Sequence, residues 1–316
     1  MGSHIDRLKL EINLLRLPLV VINEVFQNMD FQKKFLISLL SKRARKTLKL
    51  TSVPAEFSFH LSNSLHIRTG SSFLRSGGTS EESYCIEGEE MKLKFHLNGV
   101  IPRSESPHKH LLFCNHMLDT FKSITVSFLD KTLPSTAWEF MKMAKKVSIK
   151  SFNYCATGDS SEFIPRILDE CTEVTDSITI CVRFPDDFFY IPPRPFKATE
   201  FYITRNTNWF NLESFLSCRN VIIELIAKSN RTRQTYESFF NKWMDSDVRL
   251  ERLTFSSTQP SENHMIMQAL HNQGNLWIID DEWIEMNRSN GSDFFINHSL
   301  DYIHIYTKER YKRLKN

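Results

Sequence analysis

Apolar positions between Leu17 and Leu50 recur at intervals of three and four residues, which is the period of an α-helix. Pro18 suits the first turn of a helix, because its missing N–H costs nothing there. Asp30 can cap a second helix, and a strongly basic third helix begins at Ser41. Three short helices in so few residues rarely make a core that stands alone, so the pattern predicts apolar surface that needs a partner.

Residues 55–100 have a different period, since apolar and polar residues alternate there. The apolar residues are Phe57, Phe59, Leu61, Leu65, Ile67, Met91, Leu93, Phe95 and Leu97. Alternation is typical of strands that bury one face, so this region is predicted to form antiparallel β-hairpins. The polar stretch 75–83 between them is predicted to be a loop.

From residue 120 onward one short pattern recurs, with apolar residues at its first, fourth and sixth positions. The fourth positions are residues 124, 147, 178, 201, 221 and 253. Their spacings of 23, 31, 23, 20 and 32 residues are those of leucine-rich-type repeats, stretched in two places. Helices are predicted between the strands, at 163–171, 212–216, 236–244 and 265–272. The pattern predicts an α/β fold, in which helices back a curved parallel sheet over 120–275, with an ordinary α/β domain as the alternative.

The composition and motifs argue against nucleotide-binding and zinc-dependent functions. Glycine numbers 9 in 316 residues, and none of the glycine-rich phosphate-binding loops occurs. The six cysteines lie at least ten positions apart and no H-E-x-x-H occurs, so no zinc site of the usual spacing is predicted. His108 and His110 have no third ligand close in sequence. We therefore predict no catalytic residue, no metal and no cofactor.

Charge is concentrated at the two ends of the chain. Residues 1–50 carry ten Lys/Arg against four Asp/Glu, and residues 302–316 carry five against one. Nucleic-acid-binding proteins usually present a basic face across the folded body, so we expect no nucleic-acid partner and interpret 307–316 as a basic tail. No apolar stretch has the length of a membrane span, and no secretory signal is recognisable. We expect no membrane partner and a cytoplasmic location, with the nucleus as an alternative.

The order of residue types in segment 12–50 resembles an F-box, the motif by which substrate receptors dock onto a Skp1-like adaptor of a cullin-RING ubiquitin ligase. The residues that carry the resemblance are Leu17-Pro18, Val21-Ile22, Val25-Phe26, Met29-Asp30, Phe35-Leu36, Leu39 and Ser41-Lys42-Arg43. Two features depart from the family pattern: Val20 stands where an acidic residue is usual, and the third helix lacks an aromatic residue. A helical cap that only covers the next domain is the alternative, and it explains the periodicity but not the order of residue types.

This resemblance implies partners and a binding surface. The partners are a Skp1-like adaptor and, through it, a cullin. The residues implied for adaptor binding are Leu17, Pro18, Val21, Ile22, Val25, Phe26, Phe35, Leu36 and Leu39. Some of them are also expected to hold the three helices together.

The second half of the chain resembles the F-box-associated (type 2) domain of nematode F-box receptors. The resemblance rests on residues 208–216, 221–225, 239–243, 250–253, 284–286, 290–291, 294–296 and 302–306. It implies a substrate-recognition domain over 51–316 that closes with a hairpin and strand at 276–306. Together the two resemblances imply a non-catalytic substrate receptor of a Skp1-cullin-F-box ubiquitin ligase, which recruits a target protein for ubiquitination and degradation. A repeat-type interaction scaffold that joins no ligase is the alternative.

The repeat pattern also predicts where a target protein binds. If the apolar residues of each unit face the helices, the intervening side chains project from the opposite, open face of the sheet. We expect Tyr202 and Glu224 to lie side by side there, and the aromatic, proline-rich stretch 188–195 is a candidate binding loop. The predicted target-binding residues are Lys150, Phe189, Tyr190, Tyr202, Thr204, Ile222 and Glu224. The alternatives are an open face that is solvated or covered by the C-terminal hairpin, and a loop that is a plain spacer.

Overall fold

The structure of the protein is a computed structural model that describes residues 16–50, 57–69, 81–96, 98–103, 106–120, 123–155, 162–185, 187–205, 208–226, 229–287, 291 and 293–315. The described helices are α1 (Leu19–Asn28), α2 (Phe31–Leu40), α3 (Lys42–Leu50), α4 (Pro107–Thr120), α5 (Pro134–Ala144), α6 (Ile164–Cys171), α7 (Arg233–Asp245), α8 (Pro260–His271) and α9 (Lys308–Lys315). The described strands are β1 (Phe57–Leu61), β2 (Leu65–Thr69), β3 (Glu81–Ile86), β4 (Glu89–His96), β5 (Gly99–Pro102), β6 (Ser123–Phe128), β7 (Ser148–Tyr154), β8 (Ser177–Ile180), β9 (Glu200–Ile203), β10 (Asn220–Glu224), β11 (Arg252–Ser256), β12 (Asn275–Ile278), β13 (Trp283–Asn287), β14 (Asp293–His298) and β15 (Tyr302–Thr307).

The three predicted N-terminal helices are confirmed. Pro18 immediately precedes the first turn of α1. The Asp30 carboxylate accepts a hydrogen bond from the Lys33 N–H at 2.8 Å and so caps α2. The Ser41 hydroxyl accepts a hydrogen bond from a backbone N–H in the first turn of α3 at 3.1 Å. Local side chains therefore satisfy unpaired N–H groups at the starts of α2 and α3, whereas α1 begins after a proline without a side-chain cap.

All fifteen described strands form one mixed sheet, in the order β12-β13-β14-β15-β11-β10-β9-β8-β7-β6-β1-β2-β5-β4-β3. Its centre, β1 and β6–β11, is parallel, and β6–β11 are neighbours in chain order. Both ends of the sheet are antiparallel. The mixed α/β fold with a parallel centre is therefore confirmed, and the relation to leucine-rich repeats stays a prediction.

The residues at the fourth position of the repeating pattern lie in one row across the later strands of the parallel centre. They do not lie in that row on the earlier strands. Residues 178, 201, 221 and 253 lie opposite one another on β8–β11. The same row continues through Phe152 and Val126, not through the predicted residues 147 and 124. A β-bulge at Lys150 shifts the pairing of β7 with β6, so this part of the prediction is wrong.

The helices differ from the prediction in three places. Helices α6, α7 and α8 lie where helices are expected, and a 3₁₀ turn occupies Leu212–Phe215. The sequence pattern does not predict the helices α4, α5 and α9. In α4 the buried side chains of His110 and His116 interrupt the apolar stripe, and α9 has no fully buried residue, so neither shows a clear periodic signal.

The two ends of the sheet also need corrections. Residues 81–83 belong to β3, although the sequence predicts a loop over 75–83, and residues 75–80 lie outside the described residues. The region 276–306, predicted as a hairpin and a strand, falls within the four-stranded meander β12–β15. The predicted basic tail is helix α9 over most of its length.

One face of the sheet buries nearly all of the core. The row formed by residues 126, 152, 178, 201, 221 and 253 is buried, and it belongs to a single cluster with apolar residues of α4–α8. Phe31 and Phe35 of α2 join the same cluster. A separate small cluster of Ile22, Phe26 and Leu48 holds the three N-terminal helices together. Among the described helices, none combines the length and the apolar character that a bilayer crossing requires.

Candidate adaptor-binding and target-binding surfaces

The three N-terminal helices expose more apolar surface than the other described helices. Leu19, Val20 and Val21 are exposed in the first turn of α1, and the Val20 side chain is 73% accessible. Leu36 and Leu40 are exposed on α2, one turn apart. Large apolar side chains that remain this exposed beside a local core mark an interaction surface.

The predicted adaptor-binding residues divide into three groups in the structure. Pro18, Val21 and Leu36 are exposed, whereas Leu17, Val25 and Leu39 are half-buried. Ile22 and Phe26 are buried in the small core of the three helices, as expected for residues that hold the helices together.

Phe35 is a correction to the predicted adaptor surface. Its side chain is fully buried, and its ring lies 5.4 Å from Phe95 and 5.7 Å from Phe113 between ring centroids. Helical geometry places Phe31 on the same face of α2, and that face packs on the sheet. Phe35 therefore attaches the segment to the body of the protein and is not available to an adaptor.

Sequence reasoning missed the exposed residues Leu19, Val20, Leu40 and Leu50. A signal for the first two was present, because Leu19-Val20-Val21-Ile22 is a run of four apolar residues at a helix start. Consecutive residues of a helix point in directions about 100° apart, so four in a row cannot all face one core.

A polar joint attaches α2 and α3 to α4. His116 of α4 is buried, and its Nε2 lies 2.8 Å from the Ser38 hydroxyl, which itself donates to a backbone carbonyl of α2. The Arg45 guanidinium lies 3.3 Å from Nδ1 of the same ring and donates to Glu87 at 2.7 Å. Burial, and then the Arg45 charge, lower the pKa of His116 to about 4. This network fits a neutral imidazole that donates from Nε2 and accepts at Nδ1.

The segment that contains these three N-terminal helices matches a known protein domain. Residues 14–53 match the F-box domain. F-box domains bind Skp1 in SCF complexes, and F-box proteins are in general non-catalytic adaptors of E3 ligases. The match thus supports an F-box protein and points to a substrate adaptor of the SCF type. No curated protein and no solved structure matches the chain.

Beyond the F-box, the open face of the parallel sheet carries the predicted target-binding pair. On that face Tyr202 lies opposite Ile222, and both side chains are half-buried. The Tyr202 hydroxyl donates to Oε2 of Glu224 at 3.5 Å. Burial, and then the carboxylate of Glu224, raise the pKa of Tyr202. The prediction that Tyr202 and Glu224 lie side by side is confirmed.

The pattern predicts Thr204 and Lys150 on this face and Tyr190 in the loop 188–195, and two of these three residues are buried. Thr204 is buried, and its N–H donates to the Ile180 carbonyl. Tyr190 is buried as well, and its hydroxyl donates to Asp169 at 3.0 Å. Lys150 lies at the β-bulge and is half-buried.

The loop 188–195 is only partly available for binding. Phe189 is 57% accessible, in contrast to the buried Tyr190 next to it. Phe188 packs on Phe184 and Trp209, with ring centroids 4.7 Å and 6.3 Å away. A loop with most of its aromatic residues in the core offers Phe189 as its main accessible aromatic anchor.

Helix α9, and not the C-terminal hairpin, covers part of the open face. Tyr311 of α9 stacks on Phe295 with ring centroids 4.0 Å apart and contacts Trp283 at 4.8 Å. Phe295 alternates along β14 with Phe294 and Ile296, which belong to the helix-facing core, so it projects from the open side. The accessible part of the open face therefore ends near β11. Among the described residues, no three His, Cys, Asp or Glu side chains lie together as metal ligands.

Proposed function

We propose that the protein is a non-catalytic substrate receptor of a Skp1-cullin-F-box ubiquitin ligase. The match of residues 14–53 to the F-box domain is the observation that carries this proposal. The receptor would hold a target protein beside the ligase in the cytoplasm or the nucleus and so raise the local concentration of the target, without chemistry by its own side chains. Residues 51–316 would be the recognition domain, of the type that accompanies the F-box in nematode receptors.

The exposed apolar residues of α1 and α2 are the proposed adaptor surface. Pro18, Val21 and Leu36 come from the predicted set, and Leu17, Val25 and Leu39 lie at its half-buried margin. Leu19, Val20 and Leu40 extend this surface. An adaptor that covers these residues would remove from water the apolar area that the three helices cannot bury themselves.

Replacement of Leu17 and Pro18 together by Ala tests the adaptor surface. Truncation of an apolar interface anchor commonly costs about 2 kcal/mol or more, and the double variant truncates two adjacent apolar residues of the proposed surface, so we expect co-purification of the Skp1-like adaptor to be lost. The matched control is Leu133→Ala, because Leu133 is 60% accessible and lies before α5. Undiminished co-purification with the double variant contradicts the proposal, provided that circular dichroism shows the variant folded.

The open face between β8 and β10 is the proposed target surface. Tyr202 offers an aromatic anchor beside the carboxylate of Glu224, and Ile222 adds apolar area in the same row. Interfaces favour a tyrosine amid polar groups, and parallel repeat sheets commonly bind proteins on their open side. Phe189 is the rival anchor.

Capture of the target by the full chain, followed by peptide identification, supplies the protein needed to test that surface. We expect the Tyr202→Ala, Glu224→Lys double variant to retain the adaptor and to lose binding and ubiquitination of the target. Phe189→Ala is the matched control and should retain both. The reverse result places target recognition in the loop 188–195.

One observation favours a second candidate, an interaction scaffold that joins no ligase. Phe35, Ser38 and Arg45 attach the N-terminal helices to the body, as a helical cap would. A scaffold would be soluble alone and would not co-purify with an adaptor. The adaptor experiment therefore separates the two candidates.

A further inference from the structure

A cavity of about 830 Å³ opens at one edge of the sheet, away from the F-box residues and from Tyr202. Its walls are the turn between β1 and β2, the end of β5, the turn after β6, and the first turns of α4 and α5. The carboxyl ends of β1, β5 and β6 meet there, and in open α/β sheets this is the edge at which ligands bind.

The charged and protonatable side chains that line this cavity are all basic. They are His66, Arg103, His110 and Lys131, and none of the described lining residues is a carboxylate. Burial, and then the neighbouring basic side chains, of which Arg68 has the largest effect, lower the pKa of His66. A histidine whose charged neighbours all disfavour its protonation lies in a positive field.

The two permanent cations of the cavity wall are accessible to a ligand. Arg103 pairs with Glu81 at 2.9 Å, but both side chains are nearly half exposed, and exposed ion pairs of this kind are weak. Lys131 is exposed and makes no ion pair with any described residue. Its φ of +73° is a left-handed conformation that is uncommon for lysine, and it fixes the backbone at the rim of the cavity.

The size of the cavity limits the ligand further. A cavity of about 830 Å³ exceeds the space that an inorganic anion fills and is in the range of pockets for organic ligands. A phosphate monoester carries a charge of about −2 at pH 7, so it can attract Lys131 and compete with Glu81 for the exposed Arg103. The hydroxyl of Ser64 and Nε2 of His66, which lie 2.9 Å apart, are further polar groups at the wall.

From this geometry we propose that the cavity binds the phosphate group of a phosphorylated organic ligand, with Arg103 and Lys131 as the main contacts. The ligand is either a small phosphate ester or a phosphorylated side chain of a protein, since both present the same group. This proposal does not depend on the F-box function, because neither cation lies in the F-box segment.

Calorimetric titration of the full chain tests the proposal. The probes are inorganic phosphate, blocked phosphoserine, a phosphoserine hexapeptide and the same hexapeptide without phosphate, all at constant ionic strength. We expect the three phosphate probes to bind and the unphosphorylated peptide not to bind. Tighter binding of the phosphopeptide than of blocked phosphoserine identifies a protein as the source, and equal binding identifies a small ester.

Two variants make the test specific. Arg103→Gln with Lys131→Asn removes both cations, and Asn tolerates the left-handed backbone at 131. We expect affinity for each phosphate probe to fall about tenfold or more, because a lost hydrogen bond to a charged group costs about that much. The control Arg233→Gln with Lys312→Asn removes two exposed cations elsewhere and should leave binding unchanged. Lys131→Asn alone serves if the double variant folds poorly.

Two results overturn the proposal. One is that no phosphate probe binds the wild-type chain. The other is that the Arg103, Lys131 variant and the control variant bind phosphate equally well, since binding would then be a general property of a basic surface.

Discussion

The F-box segment and the parallel sheet bury their apolar residues by different means. In the sheet, each strand from β7 to β10 has a neighbour on both sides, and its inward residues pack on the backing helices. The F-box helices share a core of only a few side chains, and several of their apolar residues remain exposed to solvent. Strands that pair on both sides and pack on helices can complete a core among themselves, whereas three short helices need support from outside.

In this protein the body of the molecule supports one side of the F-box segment. On one side Phe31 and Phe35 of α2 enter the core of the sheet, and the polar joint around His116 adds hydrogen bonds. On the other side Leu36 and Leu40 remain exposed. The same helix therefore stabilises the fold with one face and carries part of the proposed adaptor surface on another.

Neighbouring substitutions in α2 give the largest expected effect. Phe35→Ala should destabilise the protein by about 3–5 kcal/mol, because it leaves a cavity among packed aromatic rings. Leu36→Ala should change stability by less than about 1 kcal/mol and should instead weaken adaptor binding. Denaturant unfolding measures the first effect, and adaptor affinity measures the second. Equal destabilisation by the two substitutions contradicts this division of α2.

The joint at His116 predicts a pH dependence of stability. The pKa of this histidine is about 4 in the folded protein and near the ordinary 6.5 in the unfolded chain. Above pH 6.5 both states are neutral, so the contribution of the histidine does not change there. As the pH falls from 6.5 towards 4, the unfolded chain takes up a proton that the folded protein excludes, and stability on the order of 2 kcal/mol is lost.

Denaturant unfolding at several pH values between 6.5 and 4 measures this loss of stability and so tests the role of His116. In His116→Gln the loss between pH 6.5 and 4 should be smaller than in the wild type, whatever the effect of the substitution at pH 7. The control His271→Gln alters an exposed histidine on α8 and should retain the wild-type dependence. An unchanged dependence in His116→Gln argues against a neutral histidine at the joint.

Substitution of Asp30, which caps α2, is expected to change stability less than substitution of Phe35 or a fall in pH from 6.5 to 4. Asp30→Ala should cost about 1 kcal/mol, because it removes the acceptor for the Lys33 N–H. Asp30→Asn, which retains a capping oxygen, should cost less. Thermal unfolding of the two variants measures the difference, and equal losses indicate that the cap contributes nothing.

Much of this architecture was predictable because it depends on residues close in sequence. The helical period and the cap at Asp30 predict the three N-terminal helices, and both are local properties. The register of β8–β11 follows from short apolar triplets, since alternation along a strand determines which side chains share a face. For the same reason the side-by-side arrangement of Tyr202 and Glu224 could be predicted.

Other features depend on residues far apart in the chain, and these were missed. The bulge at Lys150 arises where two strands must match, and no single strand contains that information. The loop sequence alone predicts an accessible Tyr190, but its side chain is buried, its hydroxyl donates to Asp169 and its backbone pairs with Phe210. Helix α9 has little apolar content, and it contacts the sheet through Tyr311 and through the ion pairs Lys308–Asp293 and Arg313–Glu251.

The order of residues specifies which faces of the helices and strands are apolar, because each side chain's direction follows from its place in a regular backbone. Packing between distant segments specifies which of those apolar faces are covered. Phe35 and Leu36 are adjacent and both apolar, yet one is fully buried and the other exposed, because the sheet lies on one side of α2 only. Coverage depends on which distant segments pack nearby, and the period of a single helix cannot specify them.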